Sequence, residues 1–329
     1  MQLLLANTGS YPRIGDTPET QRHRRAYGQR ERGEISDTQW QAVEDEVTRE
    51  VVIEQLQAGI ELPTDGHVRW YDPISHLARP LANIAINGLL RYFDTNFYFR
   101  QPVVSGPVSR RQPLLRREFE VARSSAAPHP IKPVMTGPYS LAQASVLEGG
   151  YRDRASLALA YADVLAQEVA ELAEAGATLI QIDEPFLLQH PEDLDVVRRA
   201  FGMLAAARGR ARLACYTYFG DAVPLYDDLQ ELPVDVLGFD FTYSPKLAER
   251  IGEAGTGKAL GLGLIDGRNT KLETKDAVYP ALDRVLPHLR GTAYLNPSCG
   301  LEFLPRDRAR TKLETMVRLA REYTGPKGA

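Results

Sequence analysis

The chain has 329 residues, a quarter of them charged, with a net charge of -4 and an isoelectric point near 5.9. That balance excludes the basic footprint of a nucleic-acid binder, and two cysteines are too few for a disulfide framework. No run approaches the ~20 apolar residues of a membrane span, so the expected class is a soluble, cytoplasmic protein with room for two average domains or one large α/β barrel.

Residues 3–7 read as a buried strand ending in the turn Thr8-Gly9-Ser10-Tyr11-Pro12-Arg13. Residues 20–34, dense in Arg and Glu, suit a solvated helix. A sharper helix begins at Ser36, which has capping-box spacing to Gln39, with Trp40, Val43, Val47 and Val51 at helical intervals. Residues 59–67 form a second strand-to-turn unit carrying Asp65 and His67. Residues 80–100 are expected to hold a helix followed by the aromatic cluster Tyr92, Phe93, Phe97, Tyr98 and Phe99. Residues 107–130 interrupt the rhythm with Pro107, Pro113 and several arginines, and read either as an excursion on the rim or as a solvated surface helix.

The alternation then becomes regular. Residues 131–136 form a strand ending Thr136-Gly137-Pro138. An amphipathic helix through Leu157, Tyr161, Val164, Leu165, Val169 and Leu172 stops near Gly176. Strands follow at 178–183, 211–216, 235–240, 259–265 and 291–296, and a last helix spans about 306–323. Together with 3–8 and 59–65 these make eight strands, most of the later ones separated by helix-length segments. The pattern predicts a single (β/α)8 TIM barrel over 1–325 with an inserted rim segment, and a disordered tail at 326–329.

Such barrels carry their chemistry at the C-terminal strand ends. Here those ends hold Ser10, Asp65, His67, Thr136, Asp183, Glu184, Cys215, Asp240, Asp266 and Cys299. Cys215 and Cys299 could share a metal, share a disulfide or be buried filler. Each acidic residue could equally be a cap or turn.

Four motifs, in order and at matching strand ends, resemble the catalytic barrel of the cobalamin-independent methionine synthase family. They are Thr8-Gly9-Ser10-Tyr11-Pro12, Met135-Thr136-Gly137-Pro138, Gln181-Ile182-Asp183-Glu184-Pro185 and Asn296-Pro297-Ser298-Cys299-Gly300-Leu301. The resemblance covers essentially the whole chain and implies the short, core type of synthase. It implies zinc held by Cys215, Cys299 and Asp240, with Leu213 standing where the family has a ligating His. His67, where the family has a Glu near homocysteine, is the candidate replacement for that imidazole or else a pocket histidine. Ser10, Thr8, Asp183 and Glu184 are implied to hold homocysteine, with Thr136, Gly137, Asp65, Asp266 and Arg268 as further pocket residues.

The expected reaction is methyl transfer to homocysteine by a zinc-bound thiolate. Two family features of a methyl-tetrahydrofolate site are missing: Arg268 stands where a His would protonate the leaving nitrogen, and Ala144 near a pterin-stacking Trp. These losses predict a different donor, methylcobalamin or another methylcorrinoid, free or on a corrinoid carrier protein, reached through a wide mouth. The alternatives are transfer to another thiol of the coenzyme M type, a metal-free enzyme resembling uroporphyrinogen decarboxylase, and a non-catalytic corrinoid-binding protein.

Overall fold

The computed structural model describes residues 2–289 and 291–325, so the expected tail at 326–329 lies outside the described residues. In chain order the strands are β1 (Gln2–Leu5), β2 (Ile84–Arg91), β3 (Tyr98–Val104), β4 (Val134–Thr136), β5 (Val146–Leu147), β6 (Leu179–Asp183), β7 (Arg212–Thr217), β8 (Val236–Asp240), β9 (Ala259–Ile265) and β10 (Thr292–Pro297). Seven of them form a parallel sheet in the order β1-β10-β9-β8-β7-β6-β4. The gap between β1 and β4 is closed by residues 60–64. Leu62 bonds to β1 through its N–H to Leu5 O at 3.0 Å, and Pro63 O accepts the N–H of Lys132 at 3.0 Å. Pro63 has no N–H to donate, and the expected second strand is reduced to one bridge between Ala6 and Leu62. The architecture is nonetheless the eight-stave α/β barrel.

Two cores follow from the period-2 alternation of the strands. A small inner cluster takes Ala6, Leu62, Leu179, Ala214, Tyr216, Val236, Ala259 and Tyr294. The large outer cluster takes the opposite faces, including Ile180, Ile182, Leu213, Cys215, Leu237 and Leu260, and packs them against the helices. The Tyr216 ring lies across the barrel where side chains at Gly238 and Gly261 would stand, so both positions must be glycine.

Two long helices begin where the sequence supplies caps. Asp37–Gln57 starts with the capping box of Ser36 and Gln39, and Arg154–Glu174 starts with one of Asp153 and Ser156. Past the second of these, Gly176 takes the left-handed backbone at φ 99°. No helix among the described residues is long and apolar enough to cross a membrane.

The helix expected within residues 80–100 is instead the antiparallel hairpin β2–β3, paired from Ile84↔Val104 to Arg91↔Tyr98. Its residues alternate early in β2 and then lie exposed, a pattern stabilised by cross-strand pairing rather than by one buried helical face. The hairpin tip lies over the barrel mouth. Phe93 sits 4.7 Å from Phe186 and 5.2 Å from Phe219, and Phe97 sits 6.0 Å from Phe303, between ring centroids. Residues 107–130 hold the helix Arg116–Ala126, whose Phe119, Ala122 and Ala126 are buried. Arg110 pairs with Glu168 and Glu171 on the neighbouring helix. That segment belongs to the wall of the barrel, and the hairpin is the element that covers the mouth.

Candidate active site

The strand ends enclose a small cavity of about 20 Å³ bordered by Ser10, His67, Thr136, Asp183, Cys299 and Glu302, with aromatic cover from Tyr92, Tyr218, Phe219 and Phe303. It shares Ser10, His67, Trp70, Pro73 and Glu302 with an outer cavity of about 240 Å³. A third cavity at the rim is walled by Asp94, Phe97, Asp266, Arg268, Glu302 and Phe303.

Asp183 ends β6 with its carboxylate turned into the inner cavity. One oxygen accepts from Gln181 Nε2 at 2.7 Å and the other from Tyr218 OH at 3.2 Å. Gln181 also donates to Thr8 O at 2.7 Å and accepts from the buried Lys132 ammonium below it. Burial pushes the Asp183 carboxyl up to about 7, against the pull of these donors and of Lys132. The same desolvation lowers Lys132 to about 7, with Asp183 acting against it.

Ser10 lies at the cavity wall with its Oγ unpartnered, and its carbonyl accepts the Leu301 N–H at 2.9 Å. Thr8, in contrast, is structural. Its hydroxyl donates to Pro297 O and accepts from Asn296 Nδ2 at 3.2 Å, which ties the end of β1 to the end of β10. Thr136 reaches the cavity and donates to Pro73 O.

His67 follows Gly66 in a tight turn, both with positive φ, of 69° and 51°. Its ring stacks on Trp70 at 3.8 Å, and its buried Nε2 has no partner. Burial, with nearby His76 and Lys132, drives its pKa down to about 3, so the ring is neutral. Asp65 does not enter the cavity; it accepts from the His67 N–H at 3.2 Å and supports the turn.

Two further expected site residues face away from the cavity. Glu184 is completely buried on the helical side of the barrel. Its carboxylate accepts from the N–H groups of Tyr139 and Ser140, at 3.0 and 2.7 Å, and from Ser140 Oγ at 2.6 Å. It anchors the first turn of the helix Pro138–Ala144. A side chain at Gly137 would collide with it, which is why the Thr136-Gly137-Pro138 turn carries glycine there. Burial raises this carboxyl to about 7 despite the three donors. Cys215 registers with Ile182 on β6 and Leu237 on β8 and joins the outer core, while its neighbours Ala214 and Tyr216 point inward. It is not at the cavity.

The zinc that the resemblance implies can be tested against these donors. Cys299 borders the cavity, with its thiol pushed well up by burial and then by Glu302 and Asp240. Cys215 faces the helices. Asp240 is occupied as a turn cap, accepting from Thr242 N at 2.8 Å, from the Thr242 hydroxyl, and from Tyr243 N and Phe219 N at 3.3 and 3.4 Å. His67 is across the cavity, stacked on Trp70. Among the described residues no three His, Cys, Asp or Glu side chains stand together as a metal site. The residues do not fit a zinc shell in this arrangement.

At the rim, Arg268 is pinned. It stacks on Tyr243 at 4.3 Å, donates to the Tyr243 hydroxyl and lies 3.5 Å from Asp94. Asp266 accepts the Arg268 N–H at 2.8 Å and turns the loop. Ala144 is buried in its helix, away from all three cavities. Glu302, Tyr218 and Gln181 were not singled out from the sequence. Glu302 had the clearest signal, since it directly follows the Asn296–Leu301 stretch that carries Cys299.

The comparisons with known proteins agree with this architecture. Residues 7–322 match the family model described as the catalytic domain of cobalamin-independent synthase. The methionine synthase of Saccharolobus solfataricus is 32% identical, over 97% of this chain and 95% of that protein. The methionine synthase of Sulfurisphaera tokodaii is also 32% identical, over 97% of this chain and 93% of that protein. Among solved structures, a B12-independent methionine synthase from a Shewanella species, in complex with selenomethionine, superposes with a TM-score of 0.79. It is 21% identical and covers 98% of this chain and 97% of its own. A methyltransferase from Methanosarcina mazei superposes at 0.63 with 12% identity, over 95% of this chain and 94% of its own.

The expected methylcobalamin or methylcorrinoid donor is thereby overturned, and the corrinoid carrier protein loses its basis with it. The matching family is cobalamin-independent. The wide mouth that a corrinoid ring requires is covered by the hairpin tip, with Tyr92 buried and Phe93 packed on Phe186 and Phe219. Loss of two folate-associated residues was too thin a ground for a change of donor, because it said nothing about what shape replaced them. On the family match over most of its length and its identity to full-length relatives, the chain belongs to the cobalamin-independent methionine synthase family of methyltransferases, as a catalytic domain.

Proposed function

We propose that this chain methylates the sulfur of L-homocysteine, giving methionine, with methyltetrahydrofolate as donor. One observation carries the reading: Asp183, a buried carboxylate held by Gln181 and Tyr218, faces a closed strand-end cavity beside the unpartnered hydroxyl of Ser10 and the thiol of Cys299. A carboxylate there suits the ammonium of an amino acid, and the turn at residues 8–10 suits its carboxylate. Family membership supports the reaction type, and the names of the relatives support the substrate.

The chemistry forms an S–CH3 bond and breaks the donor's N5–CH3 bond; the thiol proton finishes on N5. The residues of this chain orient the amino acid and exclude water. The aromatic cover lowers the local dielectric, which strengthens the contacts to the charged amino acid. The rim cavity, with Phe97 and Phe303 beside Asp94 and Arg268, offers both aromatic and charged walls for a flat donor with a polar periphery.

The test is turnover of L-homocysteine with methyltetrahydrofolate labelled in the methyl group. Labelled methionine is expected. No labelled methionine from protein shown to be folded would overturn the reading.

A further inference from the structure

Four polar atoms of residues lining the inner cavity have no hydrogen-bond partner among the described residues: Ser10 Oγ, His67 Nε2, Tyr92 OH and Glu302 Oε2. Buried polar atoms are almost always paired, so four orphans on one small cavity mark positions that a ligand's polar atoms complete. Glu302 stands out among them. It lines the inner, outer and rim cavities alike. A side chain at Gly300 would strike both Glu302 Oε2 and Ser10 Oγ, so glycine there keeps the carboxylate and the hydroxyl beside each other.

Among the described residues no lysine or arginine lines the inner cavity. Asp183 is served by Gln181 and Tyr218, and among the described residues no ammonium or guanidinium bonds it directly; Lys132 acts on it from behind Gln181. Glu302 has no ion-pair partner among the described residues, although Arg13 contributes at longer range. Burial lifts the Glu302 carboxyl to about 7, and the nearby Asp183 adds to the rise. Two carboxyls facing one enclosed space, each raised by desolvation, are completed by a positively charged ligand group. His67 is compatible with such a guest, since its neutral ring adds no repulsion.

We infer that Glu302 is a specificity-determining residue that, with Asp183, holds the ammonium group of the amino-acid substrate. The inference rests on the proposed homocysteine reaction and deepens it. It also accounts for His67. The resemblance places a carboxylate at that position to meet the ammonium, and this chain has none there; Glu302 supplies a carboxylate from the loop after β10 instead.

Calorimetric titration at pH 8 separates the outcomes. The ligands are L-methionine, the product, and 4-(methylthio)butanoate, which lacks only the amino group. Wild type is expected to prefer L-methionine, and Glu302→Gln to weaken L-methionine by about 10- to 100-fold while leaving the desamino ligand within about twofold. Glu302→Asp, which keeps the charge and shortens the reach, is expected to fall between, and it carries the comparison if Glu302→Gln does not fold. Equal binding of L-methionine by wild type and Glu302→Gln would overturn the inference. So would equal weakening of both ligands, which would mean that Glu302 only shapes the cavity. If wild type binds neither L-methionine nor L-homocysteine, the proposed function itself fails, and the inference with it.

Discussion

The imidazole of His67 lies flat on the indole of Trp70, with ring centroids 3.8 Å apart and planes 4° from parallel. Trp70 is in turn held by Glu118, which accepts from its Nε1 at 2.9 Å, and Glu118 also bonds His76 Nε2 at 2.8 Å. His76 stacks on the indole as well, at 4.8 Å. One buried carboxylate thus fixes the ring that fixes the cavity histidine. Glu118→Ala strands Trp70 Nε1 and His76 Nε2 in the interior and is expected to cost about 2–4 kcal/mol, read from urea unfolding. L-methionine binding is expected to weaken in the same variant, because His67 loses its support. An unchanged unfolding midpoint would count against this chain of contacts.

Glu184 tests a different kind of support. Its three accepted hydrogen bonds hold the turn that places Thr136 at the cavity. Glu184→Ala leaves two buried N–H groups and a hydroxyl unpaired and is expected to cost about 3–5 kcal/mol. Glu184→Gln keeps one acceptor and should cost less. Thermal melting of the two variants ranks them, and the reverse order would contradict the capping role.

The two cysteines should behave differently although both thiols are buried and raised in pKa. Cys215→Ala removes an atom from the outer core and is expected to lose about 1–2 kcal/mol of stability with turnover kept. Cys299 borders the cavity, so saturating L-methionine should slow its alkylation and leave that of Cys215 unchanged. Peptide mass mapping after timed alkylation reads both rates. Equal protection of the two thiols would place Cys215 at the cavity after all.

The buried carboxyls give the ligand effect a pH sign. Asp183, Glu184 and Glu302 are raised to about 7 in the folded chain, against about 4 in an unfolded one. Between those values the folded chain holds more protons, so their contribution to stability is full below about pH 4 and lost as pH rises through about 7. His67, pushed down to about 3, works in the opposite sense below about 6.5. Lys132, lowered to about 7, acts only above that pH, while the Cys299 thiol and Tyr218 hydroxyl stay protonated. A ligand ammonium favours the ionised forms of Asp183 and Glu302. The rise in melting temperature caused by L-methionine is therefore expected to be larger at pH 8 than at pH 6, by scanning fluorimetry. A smaller rise at pH 8 would contradict the placement of the ammonium.

Much of the barrel was legible because its signals are local. The β-branched stretch before Asp183, the caps at Ser36 and the glycine at 176 act within a few residues of themselves, and the corresponding elements formed there. The hairpin at 84–104 was not legible, since its stability comes from pairing between its two arms and from covering the mouth, neither of which leaves a period in the sequence. The second strand faded to a bridge because Pro63 removes a donor and the neighbouring strands supply the contacts that close the ring.

The sequence by itself determined the alternation of strands and helices, the order of the strand-end motifs, and so which residues could reach one end of a barrel. Alternation along a strand says that Cys215 and Tyr216 face opposite ways, but not which of them faces inward. That depends on register with β6 and β8, and there the Tyr216 ring fills the space over Gly238 and Gly261 and turns Cys215 to the helices. Only the tertiary structure decided that Glu184 caps a helix while Asp183, one residue earlier, faces the cavity. It also decided that Glu302, 119 positions further along from Asp183, meets it there. The physical reason is that enclosure is a property of several chain segments at once, and the raised pKa values and unpaired atoms of the site arise only when they close together.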